Sequence, residues 1–436
     1  MEKKFKLTEE TINYGGRTLY HIEALKDFAN VKKGDKGGYV ENENNLSQKG
    51  NCWIYDNALV FDGAAVYGNA KVYDKAIVFG KARVYDNAKI YDNALVCGDA
   101  KVFGDAQVYN NARVFDNARV YDNAKVFDGA AVYGKAEVCG NALVYDSAAV
   151  FDNAKVCDNA MVFGDAQVYD DAIISDNAQV SDNATVFGNA LVSDNAEICD
   201  KAKVYNDAEV YGNAKIYDNA MVFGDAQVCD EAKVYVNAKI FNNAQVFDNA
   251  KVFGDAQVSD NAKVYDKAKV YGKAQVYDNA IVYCNARVFG NAKVYDKAYV
   301  CDNAILYDNA QVYDGAAVYG DAVVCGNARV FDKAVVYDKA VICYNALVYG
   351  NARVYGYAKV YGNANIKNNS DYIVFKNWWS SGRYFTWTRS NNMWRVGCFY
   401  GTGKELIAKA YKDSEISGKQ YERVVGYVET ILQDSK

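Results

Sequence analysis

The chain has 436 residues, of which 51% are hydrophobic and 24% are charged, with no proline and a formal net charge of −6. The absence of proline suits a chain whose backbone amides nearly all enter hydrogen-bonded ladders, because proline lacks the N–H donor. Residues 51–366 carry 29 basic and 40 acidic side chains, a net charge of −11. That balance excludes a general binder of nucleic-acid phosphates over this region.

Residues 1–50 precede the regular part of the chain. No apolar run follows the first residues, so the sequence predicts neither a signal peptide nor a membrane span, and therefore a cytoplasmic location. A virion-associated location stays open beside it. Residues 5–7 and 18–25 are predicted strands around a turn at Gly15 and Gly16. His21, the one histidine of the chain, lies here, and we expect it to be structural.

Residues 34–38 read Gly-Asp-Lys-Gly-Gly. A loop of this kind could cradle a phosphate, but it lacks the Gly-Lys-Ser/Thr ending of a Walker-type site. We therefore expect a turn that leads into the first coil. Val40 and Leu46 are six residues apart but stand outside the later register, so the opening coils are expected to be imperfect, as terminal repeats usually are.

From Asn51 to Ile366 a six-residue phrase recurs without insertion or deletion, as in NAKIYD at residues 87–92. Every position divisible by six is Val, Ile or Leu, and Ala stands two positions earlier from Ala58 to Ala364. Side-chain alternation in a strand puts the aliphatic residue on one face and its neighbours on the other. Each phrase is therefore a short strand and a corner, and Asp, Asn or Gly at the corner tolerates left-handed backbone angles.

A unit this short cannot bury its apolar face alone, so neighbouring units must stack. The phrase resembles the hexapeptide repeat of left-handed parallel β-helices, in which three hexads make one coil. The resemblance implies an all-β solenoid of about 17 triangular coils of 18 residues. We predict three domains: an N-terminal cap with opening coils (1–50), the left-handed β-helix (51–366) and a small C-terminal α+β domain (367–436).

The start of the chain carries a second resemblance. GGYVE at residues 37–41, NLS at 45–47 and CWIYD at 52–56 resemble the start of bacterial hexapeptide-type acyltransferases of the YdcK type. Hexapeptide acyltransferases use a His in a cleft between subunits, usually beside a loop that interrupts the coils. Here His21 lies outside the repeat and no insertion interrupts it. The sequence therefore predicts no catalytic residue, no cofactor and no metal.

The site after each aliphatic residue is Tyr or Phe at 40 of 52 positions; the exceptions are eight Cys and four Ser. With 18-residue coils these sites form three outward columns. The most continuous column supplies the predicted assembly face: Phe61, Phe79, Phe115, Tyr133, Phe151 and Tyr169.

Two interpretations of the columns stay open. Rings stacked at strand spacing cover one another, at about 0.2–1 kcal/mol for each contact, and can be self-contained cladding. Alternatively, a surface this aromatic marks a contact. In that case we expect self-association or another protein in preference to a glycan, and no nucleic acid or membrane partner.

Two cysteine pairs are three hexads apart: Cys139 with Cys157, and Cys325 with Cys343. Stacked coils would make the members of each pair neighbours. They could then oxidise or share a soft metal, but in a cytoplasm we expect reduced thiols.

Beyond the repeat, residues 371–376, 383–389 and 393–400 are predicted antiparallel strands, followed by a helix to about residue 412 and another from residue 417. This module either caps the last coil or recognises a partner. The second interpretation predicts a basic and aromatic binding surface of Trp378, Trp379, Arg383, Trp387, Arg389, Trp394 and Arg395.

Function is predicted only as a class. The favoured hypothesis is a non-enzymatic structural or binding repeat protein, a rigid scaffold that presents aromatic ladders for self-assembly or a partner. The module after residue 367 resembles tail modules of bacterial and prophage repeat proteins, so a phage-related role is included. The alternative is a hexapeptide acyltransferase-like enzyme that uses an acyl-CoA.

Overall fold

The computed structural model describes residues 2–434. The chain divides into two compact units, which meet in the sequence between Glu231 and Ala232. In both units short parallel strands recur every six residues, so the predicted β-solenoid is confirmed. The left-handed winding and the three-domain division stay predictions.

Each coil strand consists of the aliphatic residue and the residue before it, from Trp53–Ile54 to Asn365–Ile366. Four strands extend further: Lys203–Tyr205, Met221–Phe223, Lys233–Val236 and Lys251–Gly254. Within each unit a strand pairs in parallel with the strands 18 residues before and after it. Lys89, for example, is the partner of both Lys71 and Gln107. Every third strand is therefore a neighbour, and each unit is built on three parallel sheets.

The core consists of the aliphatic column and the alanine column. Ala88 and Ile90 are both fully buried, as are their equivalents in the other coils. Burying each Val or Ile contributes about 1.5–3 kcal/mol. The alanine closes the corner, because its N–H donates to the carbonyl three residues earlier, as from Ala88 to Tyr85 at 3.2 Å. A larger side chain would have no space there.

The corner residue explains the frequency of Asp. Asp170 and Gly188 occupy equivalent corners, and both have left-handed backbone angles, with φ of 58° and 71°. Asp tolerates this region better than most residues because its short polar side chain finds a hydrogen bond. Here the Asp170 carboxylate accepts a hydrogen bond from the Gly188 N–H at 3.1 Å. Each such aspartate thus joins its coil to the next.

The N-terminal cap is a hairpin that continues into the first coil. Strands Phe5–Tyr14 and Arg17–Ala24 pair antiparallel, and the first of them is longer than predicted. Strand Lys36–Val40 pairs antiparallel with Arg17–Ala24 and parallel with Leu59–Val60. The cap and the solenoid therefore share one sheet.

The glycine-rich segment packs against the first coil. A β-carbon at Gly37 would lie 2.5 Å from the carbonyl oxygen of Ile54, so only glycine fits. After the short 3-10 turn Glu43–Asn45, Leu46 bridges to Val66, which is 20 residues on instead of 18. The turn is confined to the start of this segment, at Gly34, because residues 36–38 already belong to the strand Lys36–Val40. The first coil is irregular.

The C-terminal module is an antiparallel sheet covered by two helices. After a 3-10 turn at Asn369–Asp371, its elements are the strands Tyr372–Lys376, Tyr384–Thr388, Met393–Val396 and Phe399–Gly401 and the helices Gly403–Asp413 and Glu415–Asp434. The sequence predicts three strands here. The third is in fact two, because Gly397 adopts a φ of 56° and the chain reverses between them. None of the described helices is long and apolar enough to cross a membrane.

Candidate functional site

Aromatic ladders follow the outward face of the sheets. In the first unit the rings of Phe115, Tyr133, Phe151, Tyr169 and Phe187, together called the aromatic strip, stack with centroids 4.8–4.9 Å apart. Their planes are within 10° of parallel. Each ring face is therefore covered by the next ring, and only the ring edges point outward.

The structure separates the six predicted assembly residues into two groups. Phe61 is only 7% exposed, because the cap residue Tyr14 packs edge-on against it with centroids 5.6 Å apart. Phe79 stacks on Phe61 and packs against the same cluster. The other four residues, Phe115 through Tyr169, belong to the aromatic strip and are half-buried.

The neighbouring outward column makes the strip distinctive. The residue before each core aliphatic residue also lies on the outward face, next to a ring. In the strip, this residue is Ala131 beside Tyr133, Ala149 beside Phe151 and Thr185 beside Phe187. Many other rungs carry Lys or Arg there, whose long apolar stems can lie across a ring. At these three rungs the strip is flat and its ring edges are open, whereas the exposed side chains of Arg113 and Gln167 flank Phe115 and Tyr169. The prediction from sequence considered Lys, Arg and Gln in this column as cover for the rings, but did not single out the small residues.

A groove follows the corner beside the strip. It has a volume of about 780 Å³ and is lined by Asp116, Asn117, Gly134, Lys135, Asp152, Asn153, Asp170, Asp171 and Gly188. Some of its aspartates already accept hydrogen bonds from the backbone. The Asp116 carboxylate, for example, accepts from the Gly134 N–H at 3.3 Å. A similar groove of about 640 Å³ in the second unit runs from Cys284 to Tyr357 along another corner. Such grooves are thus a property of the corners and not of one catalytic centre.

Tyr133 and Tyr169, the two tyrosines of the strip, are neutral at physiological pH. Burial raises the pKa of Tyr133 and Tyr169. Burial, with the neighbouring Tyr109, raises the pKa of Tyr91 to about 12. The ring hydroxyls therefore bring no charge to the strip.

His21 packs within the N-terminal cap. It lies in the strand Arg17–Ala24 and packs edge-on against Tyr39 with centroids 4.7 Å apart. Burial lowers its pKa. Within residues 2–434, no group of three or more His, Cys, Asp and Glu side chains is arranged to hold a metal ion.

One predicted cysteine pair is oxidised. Cys325 and Cys343 form a disulfide, with Cα atoms 4.7 Å apart. The expectation of reduced thiols is wrong for this pair, because parallel pairing brings the two residues within the span of a disulfide. Cys139 and Cys157 occupy an equivalent arrangement and carry free thiols.

The predicted C-terminal binding surface is not brought together as one surface. Trp387 and Trp394 are 0% and 1% exposed and form the module's core, so neither can contact a partner. Trp379 packs against Tyr421 in the same interior, with ring centroids 5.0 Å apart. Trp378 is 72% exposed.

The three predicted arginines also have different positions. Arg383 is exposed and Arg389 is half-buried. The Arg395 guanidinium lies 4.4 Å from the ring centroid of Tyr361 in the last coil. Of the predicted surface, Trp378 and Arg383 alone keep exposed side chains.

The module satisfies the backbone at the end of the coils. The Lys359 N–H donates to the Thr386 hydroxyl at 2.8 Å, and the Asn365 N–H donates to the Ser390 hydroxyl at 2.6 Å. The Tyr372 hydroxyl donates to the Arg353 carbonyl at 2.9 Å. These groups would otherwise be a strand edge without a neighbour, so the contacts favour the cap interpretation.

Comparison with known proteins agrees with the fold. The family described as "YdcK Beta solenoid repeat" matches residues 106–122, 178–194 and 214–230. A 73-residue stretch is 38% identical to a protein of Escherichia coli (strain K12) whose name is "Uncharacterized acetyltransferase YdcK". That match covers 15% of this chain and 22% of the relative's length. The chain is a β-solenoid repeat protein whose repeats resemble those of the YdcK type.

Proposed function

We propose that this chain is a non-enzymatic repeat scaffold that self-associates through the aromatic strip. The observation that carries the proposal is the pairing of stacked rings with small neighbours: Ala131 and Ala149 leave the edges of Tyr133 and Phe151 open. The flat, uncharged part of the strip around Tyr133 and Phe151 gains free energy when a second apolar surface excludes water from it. A phage-related setting stays a hypothesis within this proposal.

A second copy of the chain is the partner that fits best. Two copies of one strip can meet across a two-fold axis, where each surface is its own complement. The bordering groove carries Asp152 and Lys135, so each copy offers both signs of charge at the rim. Rim charges of this kind set orientation more than affinity.

The experiment adds long side chains and leaves every ring in place. The double variant Ala131→Lys with Ala149→Lys puts on the strip the residue that many other rungs carry, so the fold should tolerate it. The control is Gln107→Lys with Gln179→Lys, which adds the same charge at equivalent sites of another sheet. Solution mass is measured by light scattering.

The proposal expects the wild type and the control to be oligomers and the strip variant to be a monomer. It is overturned if the strip variant keeps the wild-type mass, or if the wild type is a monomer at every concentration. Circular dichroism of all three proteins checks that the added lysines leave the fold intact.

The alternative function is acyl transfer, which the printed name of the Escherichia coli relative suggests. It needs an acyl-CoA site. Calorimetric titration of the full chain with acetyl-CoA tests it directly. Saturable binding would support this alternative, and the absence of any heat at high ligand concentration would contradict it.

A further inference from the structure

A second aromatic ladder of the first unit, separate from the aromatic strip, is interrupted. Its rings stack from Tyr85 through Phe103 to Tyr121 with centroids 4.9 Å apart. The next two rungs of this ladder are Cys139 and Cys157, and Ser175 follows. Two thiols therefore stand side by side where the ladder would otherwise place rings.

The backbone places these thiols as it places the disulfide of the second unit. Val138 pairs with Val156, and the Cys139 N–H donates to the Val156 carbonyl at 2.9 Å. The Cys325 N–H donates to the Ile342 carbonyl at the same distance, and that cysteine is bonded to Cys343. A disulfide between Cys139 and Cys157 thus requires no change of register.

The surroundings give the two sulfurs different roles. The neighbouring Cys157 thiol, the Tyr121 hydroxyl and the Lys155 cation lower the pKa of Cys139 to about 7, against the opposing effect of burial. The neighbouring Cys139 sulfur, burial and the Asp158 carboxylate raise the pKa of Cys157.

The other charged groups of this region are few. Asp122 opposes the Cys139 thiolate. The Glu137 carboxylate accepts from the Tyr121 hydroxyl at 3.1 Å and is paired with Arg119 at 3.0 Å. Of the two sulfurs, Cys139 is therefore the one that loses its proton more readily.

The low exposure of Cys139 limits which oxidants can react with it. Cys139 is 6% exposed, so protein partners are excluded, while small molecules can approach the residue. Low-pKa thiolates beside a resolving thiol are typical of peroxide-sensitive pairs. We propose that Cys139 and Cys157 form a peroxide-reactive dithiol site in which Cys139 attacks and Cys157 resolves.

The chemistry balances with hydrogen peroxide as the oxidant. The Cys139 sulfur attacks one peroxide oxygen and the O–O bond breaks, which leaves a sulfenic acid and a hydroxide that takes up a proton to become water. The Cys157 sulfur then attacks the Cys139 sulfur. The S–O bond breaks, and the departing hydroxyl takes the Cys157 proton as a second water. Two thiols and one peroxide become one disulfide and two waters.

The experiment treats the full-length protein with hydrogen peroxide and dimedone, which traps sulfenic acids, and locates the products by peptide mass spectrometry. In the wild type we expect a Cys139–Cys157 disulfide. In Cys157→Ser we expect a dimedone adduct on Cys139, and in Cys139→Ser we expect neither product. The serine at position 157 keeps a hydroxyl that can donate to the Cys139 thiolate.

Cys199 is the matched control, because it occupies an equivalent rung without a cysteine neighbour and burial raises its pKa to about 11. Cys139 should react faster than Cys199 by about tenfold or more, with a rate that rises through a midpoint near pH 7. The proposal is overturned if Cys139 in Cys157→Ser stays unmodified while the exposed Cys398 reacts. It is equally overturned if Cys157 in Cys139→Ser reacts as fast as Cys139 does. No strip residue takes part, so the outcome is independent of self-association.

Discussion

The rings of Tyr133 and Phe151 lie 4.9 Å apart with their planes within 1° of each other. This is the spacing of neighbouring strands, so the sheet itself sets the stacking distance. Ligands that stack on ring faces, as bases and sugars do, find those faces already covered. A flat protein surface needs only the ring edges. Cladding and binding are therefore compatible interpretations of one ladder, and the flanking residues decide which part of it is open.

The alanine column should be far less tolerant than the residue next to it. Ala316 is fully buried, whereas Ala317 is half-buried on the outward face. Ala316→Leu should lower the free energy of unfolding by about 1–3 kcal/mol because the corner has no space for a larger side chain. Ala317→Leu, its matched control, should change it by less than about 0.5 kcal/mol. Denaturant unfolding measures both, and equal effects would contradict the inward position of the alanines.

Asp170 tests why aspartate recurs at the corners. Asp170→Ala removes the acceptor for the Gly188 N–H and places at a left-handed corner a residue that disfavours this conformation, and should cost about 1–2 kcal/mol. Asp170→Asn tolerates the same geometry and keeps a side-chain oxygen, so its unfolding midpoint should stay close to the wild type. If alanine is as stable as asparagine, the carboxylate bridge between coils contributes nothing.

Thr386 tests the capping of the last coil. Thr386→Val preserves shape but leaves the Lys359 N–H without its acceptor, which should cost about 1–3 kcal/mol for a buried group. Thr386→Ser retains the hydroxyl and serves as the control. Amide hydrogen exchange at Lys359 should accelerate in the valine variant and not in the serine variant. Unchanged exchange in both would mean that the cap does not depend on this bond.

Glu41 should make the docking of the N-terminal hairpin sensitive to acid. Its carboxylate accepts from the Asp62 N–H at 2.7 Å and from Arg17 at 2.7 Å, and these two bonds lower its pKa below the usual 4.5. A lowered carboxyl pKa stabilises the fold above the usual value, and that stabilisation is lost as pH falls through the lowered one.

The thermal unfolding midpoint of the wild type should therefore drop between neutral pH and a pH well below 4.5. In Glu41→Gln the drop should be smaller, because glutamine does not titrate. Identical pH profiles for the two proteins would show that Glu41 is not part of the acid sensitivity.

The coils could be predicted from sequence because each register position repeats the same local rule. Ala88 and Ile90 show the same alternation and corner as their equivalents in every hexad. The C-terminal module offered no such repetition. Trp387 and Trp394 look like surface candidates in sequence, and the two helices Gly403–Asp413 and Glu415–Asp434 bury them against the sheet.

The candidate site was predicted in part. The ladder column followed from the 18-residue coil, but the cover of Tyr14 over Phe61 depends on a hairpin that extends beyond its predicted strands. The lowered pKa of Cys139 depends on groups such as Tyr121 and Lys155, which lie on neighbouring rungs and cannot be assigned before the coil register is known.

The measurement that tests the central claim most directly is the solution mass of the wild-type chain by light scattering over a wide concentration range. Self-association through the strip predicts a dimer or larger assembly whose population rises with concentration, and which dissociates when lysines replace Ala131 and Ala149. A folded monomer at every concentration would contradict it, and the ladders would then be cladding alone.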